Sequence, residues 1–356
     1  MLAKCLKNFL LPNAKDVSVH DIHKLKEQGL TSVMYSFFLT YVSHGLKRRK
    51  DFALKIYKEG FEEHEPTEFS VLKTLKEHNL RVPTVYSFQA DNGIMEKPFI
   101  IMEKIEGKSA THYLNDEIKG QIIVDEMAKI LSEIHKLDPH GIPAYKFLRE
   151  QYELERQVLM EMKFFIKNCC MNFLGFSPLR QRRFIAAVKQ LEEEKQEKFH
   201  DAILHMDYEP NHVLISNGRF IIVDWGNAII GDPAFDVGWA YHLLRLGRET
   251  FEADLGEYFV KSYEKYMGQR IVNLQFWKDM GALKLASYSG LSPFKNSKFL
   301  NYGELIDLNF GYVYGKFREA IYLHRMQRIM SNNHNAILSN FDYLQNYVIE
   351  YLERGR

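Results

Sequence analysis

The chain has 356 residues, of which 46% are hydrophobic and 26% charged, with 47 Lys and Arg against 46 Asp and Glu. That balance leaves no global field to draw nucleic acid or an anionic membrane, and the length has room for about two domains with a sizeable core. Three cysteines, Cys5 and the pair Cys169–Cys170, form no disulfide framework or metal-ligand spacing, which points to a reducing, cytoplasmic setting. The N-terminal "MLAKCLKNFLLPNAKD" has no unbroken apolar core for a signal peptide, and residues 1–26 read as one or two short amphipathic helices. From Leu30 to Ile56 the texture is β, with "SVMYSFFLTYVSHG" and "DFALKIY" predicting a hairpin whose solvated tip is the basic run Lys47-Arg48-Arg49-Lys50. The most apolar stretch, "LTSVMYSFFLTYV", is 13 residues long and too short to span a bilayer.

"EPTEFSVLKTLKEHNL" has apolar residues at helical spacing between Pro66 and Asn79, and "VPTVYSF" and "PFIIMEKIEG" follow as two more strands. From Ser109 the chain turns helical, beginning with "IIVDEMAKILSEIHKL", and a charged helical stretch covers about 150–200. "HVLIS" and "RFIIVDW" interrupt it as two short strands turned by Asn217-Gly218, and helix is expected from Asp236 onward. The fold class is thus α+β. A small antiparallel β-sheet lobe with leading helices (1–105) precedes a larger, mainly helical lobe (106–356), with a linker near Glu103–Gly107 and a cleft between the lobes.

Phosphoryl transfer needs a cation on a rigid strand, carboxylates facing a metal, and a carboxylate to receive a hydroxyl proton. Lys55 in "FALKIY" fits the V-A-I-K pattern, and Glu68 on the following helix could pair with it. Asp207 precedes a short strand as the proton acceptor, and Asp224 ends the next one in "VDWG" as a metal ligand. Kinase-type sites carry an asparagine five residues after the base; here that position is His212, and Asn211 stands one step early. Two readings stay open: a working phosphotransferase, or a nucleotide-binding pseudokinase in which His212 and Asn227 mark lost turnover. No H-E-x-x-H spacing and no G-x-S-x-G appear, so zinc and serine-hydrolase chemistry have no support.

The segments "FALKIY", "EFSVLKTL", "PFIIMEKIEG", "LSEIHKLD", "HMDYEPNHVLI" and "IVDWGNAIIGDPAFDVGWA", in that order, resemble the aminoglycoside phosphotransferase and choline kinase family. The likeness runs from about Leu30 to Tyr241 and is strongest to the branch of 2″-aminoglycoside and macrolide phosphotransferases, which have histidine where others have asparagine. It implies a bilobal protein-kinase-like fold and γ-phosphate transfer from ATP or GTP, with Mg²⁺, to a hydroxyl of a small molecule such as an aminoglycoside, sugar or amino alcohol. It also implies Asp207 as base and His212 and Asp224 at the metal. Lys55, Glu68, Ser36, Glu103 and Ile105 fall to the nucleotide, Ser36 because "LTSVMYS" lies where a phosphate-covering loop belongs. His205 is expected to organise its loop, and Asp232 and Asp236 to tie the site to the helical lobe. The "HNLRV" and "HKLD" histidines read as ordinary helix-end residues. Glu153, Glu155, Glu161, Glu304 and Asp307 are candidate carboxylates for a cationic acceptor, and the aromatic run Phe164–Phe176 could line its pocket.

Overall fold

A computed structural model describes residues 14–25, 32–57, 64–89, 97–114, 116–160, 193–194, 196–245 and 254–281. The chain forms two compact units, the first made of Met1–Ala110, Ile142–Ala144 and Asn211–Ala228, and the second of Thr111–Gly141, Tyr145–Pro210 and Ile229–Arg356.

The first unit is built on a five-stranded antiparallel sheet. Its strands are β1 (Lys15–Lys24), β2 (Ser32–Ser43), β3 (Leu46–Tyr57), β4 (Val85–Gln89) and β5 (Phe99–Glu103), in the order β1-β2-β3-β5-β4. Helix α1 (His64–Glu77) follows β3. One sheet face carries a buried cluster of Phe37, Leu39, Phe52, Leu54, Phe99 and Ile101. The ladder puts Ser36 opposite Ala53 and Met34 opposite Lys55, so these four share the other face.

Two expectations change here. Residues 15–24 are an edge strand rather than a helix: Val17 and Val19 alternate with polar neighbours, and that period suits a half-covered strand. Residues 1–13 lie outside those described. The basic run is not a tip either. The hairpin closes one step earlier on His44 (φ 50°) and Gly45 (φ 75°), whose paired positive angles make a type I′ turn. Lys47–Lys50 are therefore ladder residues of β3, and two of their charges lie over rings: the Arg49 guanidinium is 3.8 Å from the Phe38 centroid and Lys50 Nζ 4.2 Å from that of Tyr86.

A small second sheet completes this unit, with β6 (Lys108–Ser109), β8 (Val213–Ser216) and β9 (Arg219–Ile222) in the order β6-β8-β9. The expected turn is present, with Asn217 at φ 49° and Gly218 at φ 75°. Asp224 does not end the strand but lies two residues beyond it, at φ 68°.

In the second unit, α2 (Glu117–His135) starts where the Asp116 side chain accepts from the Lys119 N–H, and α3 (Tyr145–Met160) follows. Strand β7 (Ala202–Leu204) pairs with β10 (Ile229–Gly231); the sequence reading anticipated neither β7, β10 nor β6. A Cβ on Gly231 would come 2.1 Å from the Tyr152 ring, so glycine lets α3 lie against β10. Then come α4 (Ala234–Arg245), almost wholly buried, and α5 (Leu255–Met267), capped by Asp254 and by Gly268 at φ 77°. Among the described residues no helix is long and apolar enough to cross a membrane.

His242 of α4 is fully buried, and its Nε2–H donates to the Lys278 carbonyl at 2.7 Å. Burial, with the nearby charges of Arg245 and Lys278, pushes this imidazole down to about 3. Between its ordinary value near 6.5 and about 3, the unfolded chain takes up a proton that the folded chain refuses. Stability should therefore fall as pH is lowered through that window, at up to about 1.4 kcal/mol per pH unit from this residue. Urea midpoints at pH 7, 6 and 5 measure the slope. His242→Gln, which keeps a donor but does not titrate, should flatten it; an unchanged slope would exclude His242 as its source.

Candidate active site

In the first unit, four of the residues singled out from the sequence come together. Lys55 leaves the face of β3 opposite the aromatic cluster, and Glu68 is the side chain of α1 that meets it. Lys55 Nζ donates to Glu68 Oε1 at 2.9 Å and to Oε2 at 2.8 Å, with both side chains at 5% exposure or less. Asp224 Oδ1 lies 3.6 Å from the same ammonium, and Asp224 Oδ2 lies 3.5 Å from His212 Nε2. Burial works against the Lys55 charge, but Glu68 first and Asp224 second hold its pKa above the ordinary value. Lys55 is thus a permanent cation aimed at a carboxylate that is itself 42% exposed.

The order of these groups follows from local backbone. His212 ends a single 3-10 turn, Pro210–His212, and is buried, so it is not a strand residue. Its carbonyl accepts from the Val223 N–H at 2.9 Å, which joins the turn to the segment leading into Asp224. Positive φ at Asp224, a conformation aspartate tolerates better than most residues, turns the chain sharply after β9. The Trp225 indole is buried and donates to the Ile222 carbonyl, and a Cβ on Gly226 would come 3.3 Å from Lys55 Nζ and 3.4 Å from Glu68 Oε2. The glycine of "DWG" thus lets the backbone lie close against the ion pair.

In the second unit, Asp207 is 7% exposed, and its Oδ1 accepts from Trp239 Nε1 at 3.2 Å. The loop before it is held by one buried carboxylate: Asp236 Oδ2 accepts the His205 N–H at 2.6 Å and Oδ1 the Met206 N–H at 2.8 Å. Met206 has φ 68°, an angle that a non-glycine residue keeps only where its surroundings enforce it. Behind Asp236, His135 Nε2 lies 3.4 Å from Oδ2 and its Nδ1 2.7 Å from the Tyr263 hydroxyl. Burial, with Asp236 behind it, raises the Tyr263 phenol well above its ordinary value, so the hydroxyl stays protonated beside His135. Asp232, also buried, accepts from the Ala234 N–H and from the side chains of Asn273 and Trp277. Burial holds its carboxyl above the usual range against those bonds.

A model of the phosphotransferase enzyme family matches residues 37–271. The chain belongs to that family. Its fold is also that of solved phosphotransferases. A spectinomycin phosphotransferase with bound ADP and spectinomycin is 14% identical, with 97% of this chain and 98% of that one covered and a TM-score of 0.55. An APH(2″)-IIa with bound gentamicin is 14% identical, with 94% and 97% covered and a TM-score of 0.53. A Plasmodium vivax ethanolamine kinase is 13% identical, with 85% and 83% covered and a TM-score of 0.51. At these identities the likeness shows the fold, which is the protein-kinase-like α+β fold expected from the sequence. No curated protein matches the chain in sequence.

Within this phosphotransferase the remaining candidates divide. Ser36 is not in a loop: it sits in mid-β2, is 1% exposed, and its hydroxyl is 2.8 Å from His23 Nε2 of β1. The apolar alternation of "SVMYSFFLTYV" extends the strand through it. Glu103 ends β5, where its carboxylate accepts from the Thr84 N–H at 3.0 Å and the Thr84 hydroxyl at 2.8 Å; Ile105 follows in the linker. Glu153 accepts from Arg149 at 2.9 Å, while the side chains of Glu155, Glu161, Glu304 and Asp307 and the run Phe164–Phe176 lie outside those described. His78 is an ordinary helix-end residue, bonded to the Thr74 carbonyl, but His135 is not: it is buried in the network behind Asp236. Trp239 and Tyr57 were missed, although each had a signal. Trp239 is three residues after Asp236 and so on the same helix face, and Tyr57 is two after Lys55 on the same strand face.

Proposed function

We propose that this phosphotransferase moves the γ-phosphate of ATP or GTP to a hydroxyl of a small molecule, such as an aminoglycoside, a sugar or an amino alcohol. The observation that carries the reading is the buried Lys55–Glu68 pair set 3.6 Å from the half-exposed Asp224. A cation fixed in this way beside a carboxylate suits a metal–polyphosphate, whose charge both groups can share.

Each residue then has a role. Lys55 neutralises the α- and β-phosphates, and Glu68 fixes its direction. Residues 1–105 provide most of the nucleotide contacts, with Ser36 on the sheet face of Lys55 and Glu103 and Ile105 through the linker; residues 106–356 take the acceptor. Asp207 receives the proton of the acceptor hydroxyl, and the Trp239 indole N–H that it accepts fixes its carboxylate for that task. Asp224, an exposed carboxylate, fits Mg²⁺, which prefers oxygen. His212 is a softer donor and fits better as the group that orients a metal-bound water. When bound, the ion would neutralise charge on the phosphate oxygens.

The test is transfer of labelled γ-phosphate from ATP and from GTP, with magnesium, to a panel of aminoglycosides, sugars and amino alcohols. Acceptor-dependent product that disappears without magnesium is the expected result. Tight nucleotide binding without product from any acceptor would favour a nucleotide-binding scaffold, the reading that His212 and Asn227 raise.

A further inference from the structure

Glu68 is held by more than its lysine. Tyr57, two residues after Lys55 on β3, leaves the same face of the strand and is 1% exposed. Its hydroxyl donates to Glu68 Oε2, the oxygen that also accepts Lys55 Nζ at 2.8 Å. The same ammonium lies 5.4 Å from the centroid of the Tyr57 ring. Both side chains that flank the lysine charge are therefore themselves joined.

That arrangement matters once a polyphosphate competes for Lys55. Phosphate oxygens and Asp224 pull the ammonium one way and Glu68 holds it the other, 3.6 Å against 2.8 Å in the present geometry. A buried carboxylate that loses part of its cation is costly unless another donor holds it in place. Tyr57 is such a donor, and its bond to Glu68 does not depend on where Lys55 points. We propose that Tyr57 is a positioning residue for nucleotide binding: it fixes Glu68 so that Lys55 can share its charge with the phosphates without the pair coming apart. The proposal rests on the reading of Lys55 given above.

Calorimetric titration with magnesium–ATP tests it. Tyr57→Phe keeps the buried ring and removes the hydroxyl. Its Kd should rise roughly 10-fold, the effect of losing one hydrogen bond to a charged group, with unchanged stoichiometry. Tyr57→Met, which also lacks the hydroxyl but fills the space with a flexible chain, should show the same rise. In a Glu68→Gln background, Tyr57→Phe should weaken binding little further, because the carboxylate it holds has gone. A purely structural role would lower the stoichiometry and leave Kd where it was, or add its full effect in the Glu68→Gln background; either result overturns the proposal. Lys55→Ala separates the two levels. Parental affinity in Lys55→Ala removes the nucleotide reading itself, whereas weak binding there with parental affinity in both Tyr57 variants removes only the role of Tyr57.

Discussion

Asp207→Asn is expected to leave magnesium–ATP affinity nearly unchanged and to cut acceptor phosphorylation by on the order of 10²–10⁴-fold, the usual cost of losing a general base. The argument is local. Asparagine has the same shape, and its amide oxygen can still accept the Trp239 indole N–H that now meets Asp207 at 3.2 Å. The loop should therefore hold, since its position depends on Asp236 and not on the side chain at 207. The amide NH₂ then stands where the second carboxylate oxygen was and cannot take a proton. Single-turnover transfer with the best acceptor, alongside calorimetry, reads both quantities. Near-parental turnover would mean that another group takes the proton.

The second large effect is expected at Asp224. Asp224→Ala should weaken magnesium-dependent nucleotide binding by more than the 10–100-fold typical of losing outer support to a metal ligand. Two things change in that variant, because alanine must also adopt φ 68°, an angle that is unfavourable for it. Asp224→Asn separates them: asparagine accepts the left-handed backbone but lacks the charge, so it should bind nearly as poorly as the alanine variant. His212→Leu should show the smaller, 10–100-fold loss, and His212→Asn should recover most of it if the residue orients a water. Calorimetry with and without magnesium provides all four values. If Asp224→Asn binds the magnesium–nucleotide as the parent does, the carboxylate is not at the metal.

Much of this site was legible because its parts sit on elements with strong local signals. The hairpin of Lys55, the periodic helix of Glu68 and the Asn217-Gly218 turn between His212 and Asp224 are each written in short-range patterns. What escaped depended on longer-range partners. Lys15–Lys24 is an edge strand with most side chains outward, so its apolar alternation is confined to Val17 and Val19 and is too short to stand out beside the helical reading. Four consecutive basic residues look like a tip until Phe38 and Tyr86 are known to lie beside them. Ser36 stands where the family resemblance implies a phosphate-covering loop, whereas its backbone is committed to a ladder with Ala53. The role of His135 could not be read from "SEIHKL" at all, since its partners Tyr263 and Asp236 are more than a hundred residues away.

The hold that Asp236 has on the loop before Asp207 also bears on which positions can vary. Its carboxylate takes the amide hydrogens of His205 and Met206, groups that every residue except proline possesses. Placement of the proposed base is therefore encoded at position 236 through main-chain groups, and the side chain at 206 answers instead to its own burial and to φ 68°. In a saturation library, position 236 should return almost nothing but aspartate, while position 206, which is buried, should be limited by packing and by its φ of 68° rather than by any hydrogen bond of its side chain. A divergent relative of this chain could thus rewrite the loop and keep its geometry, provided the helix that follows carries the acid.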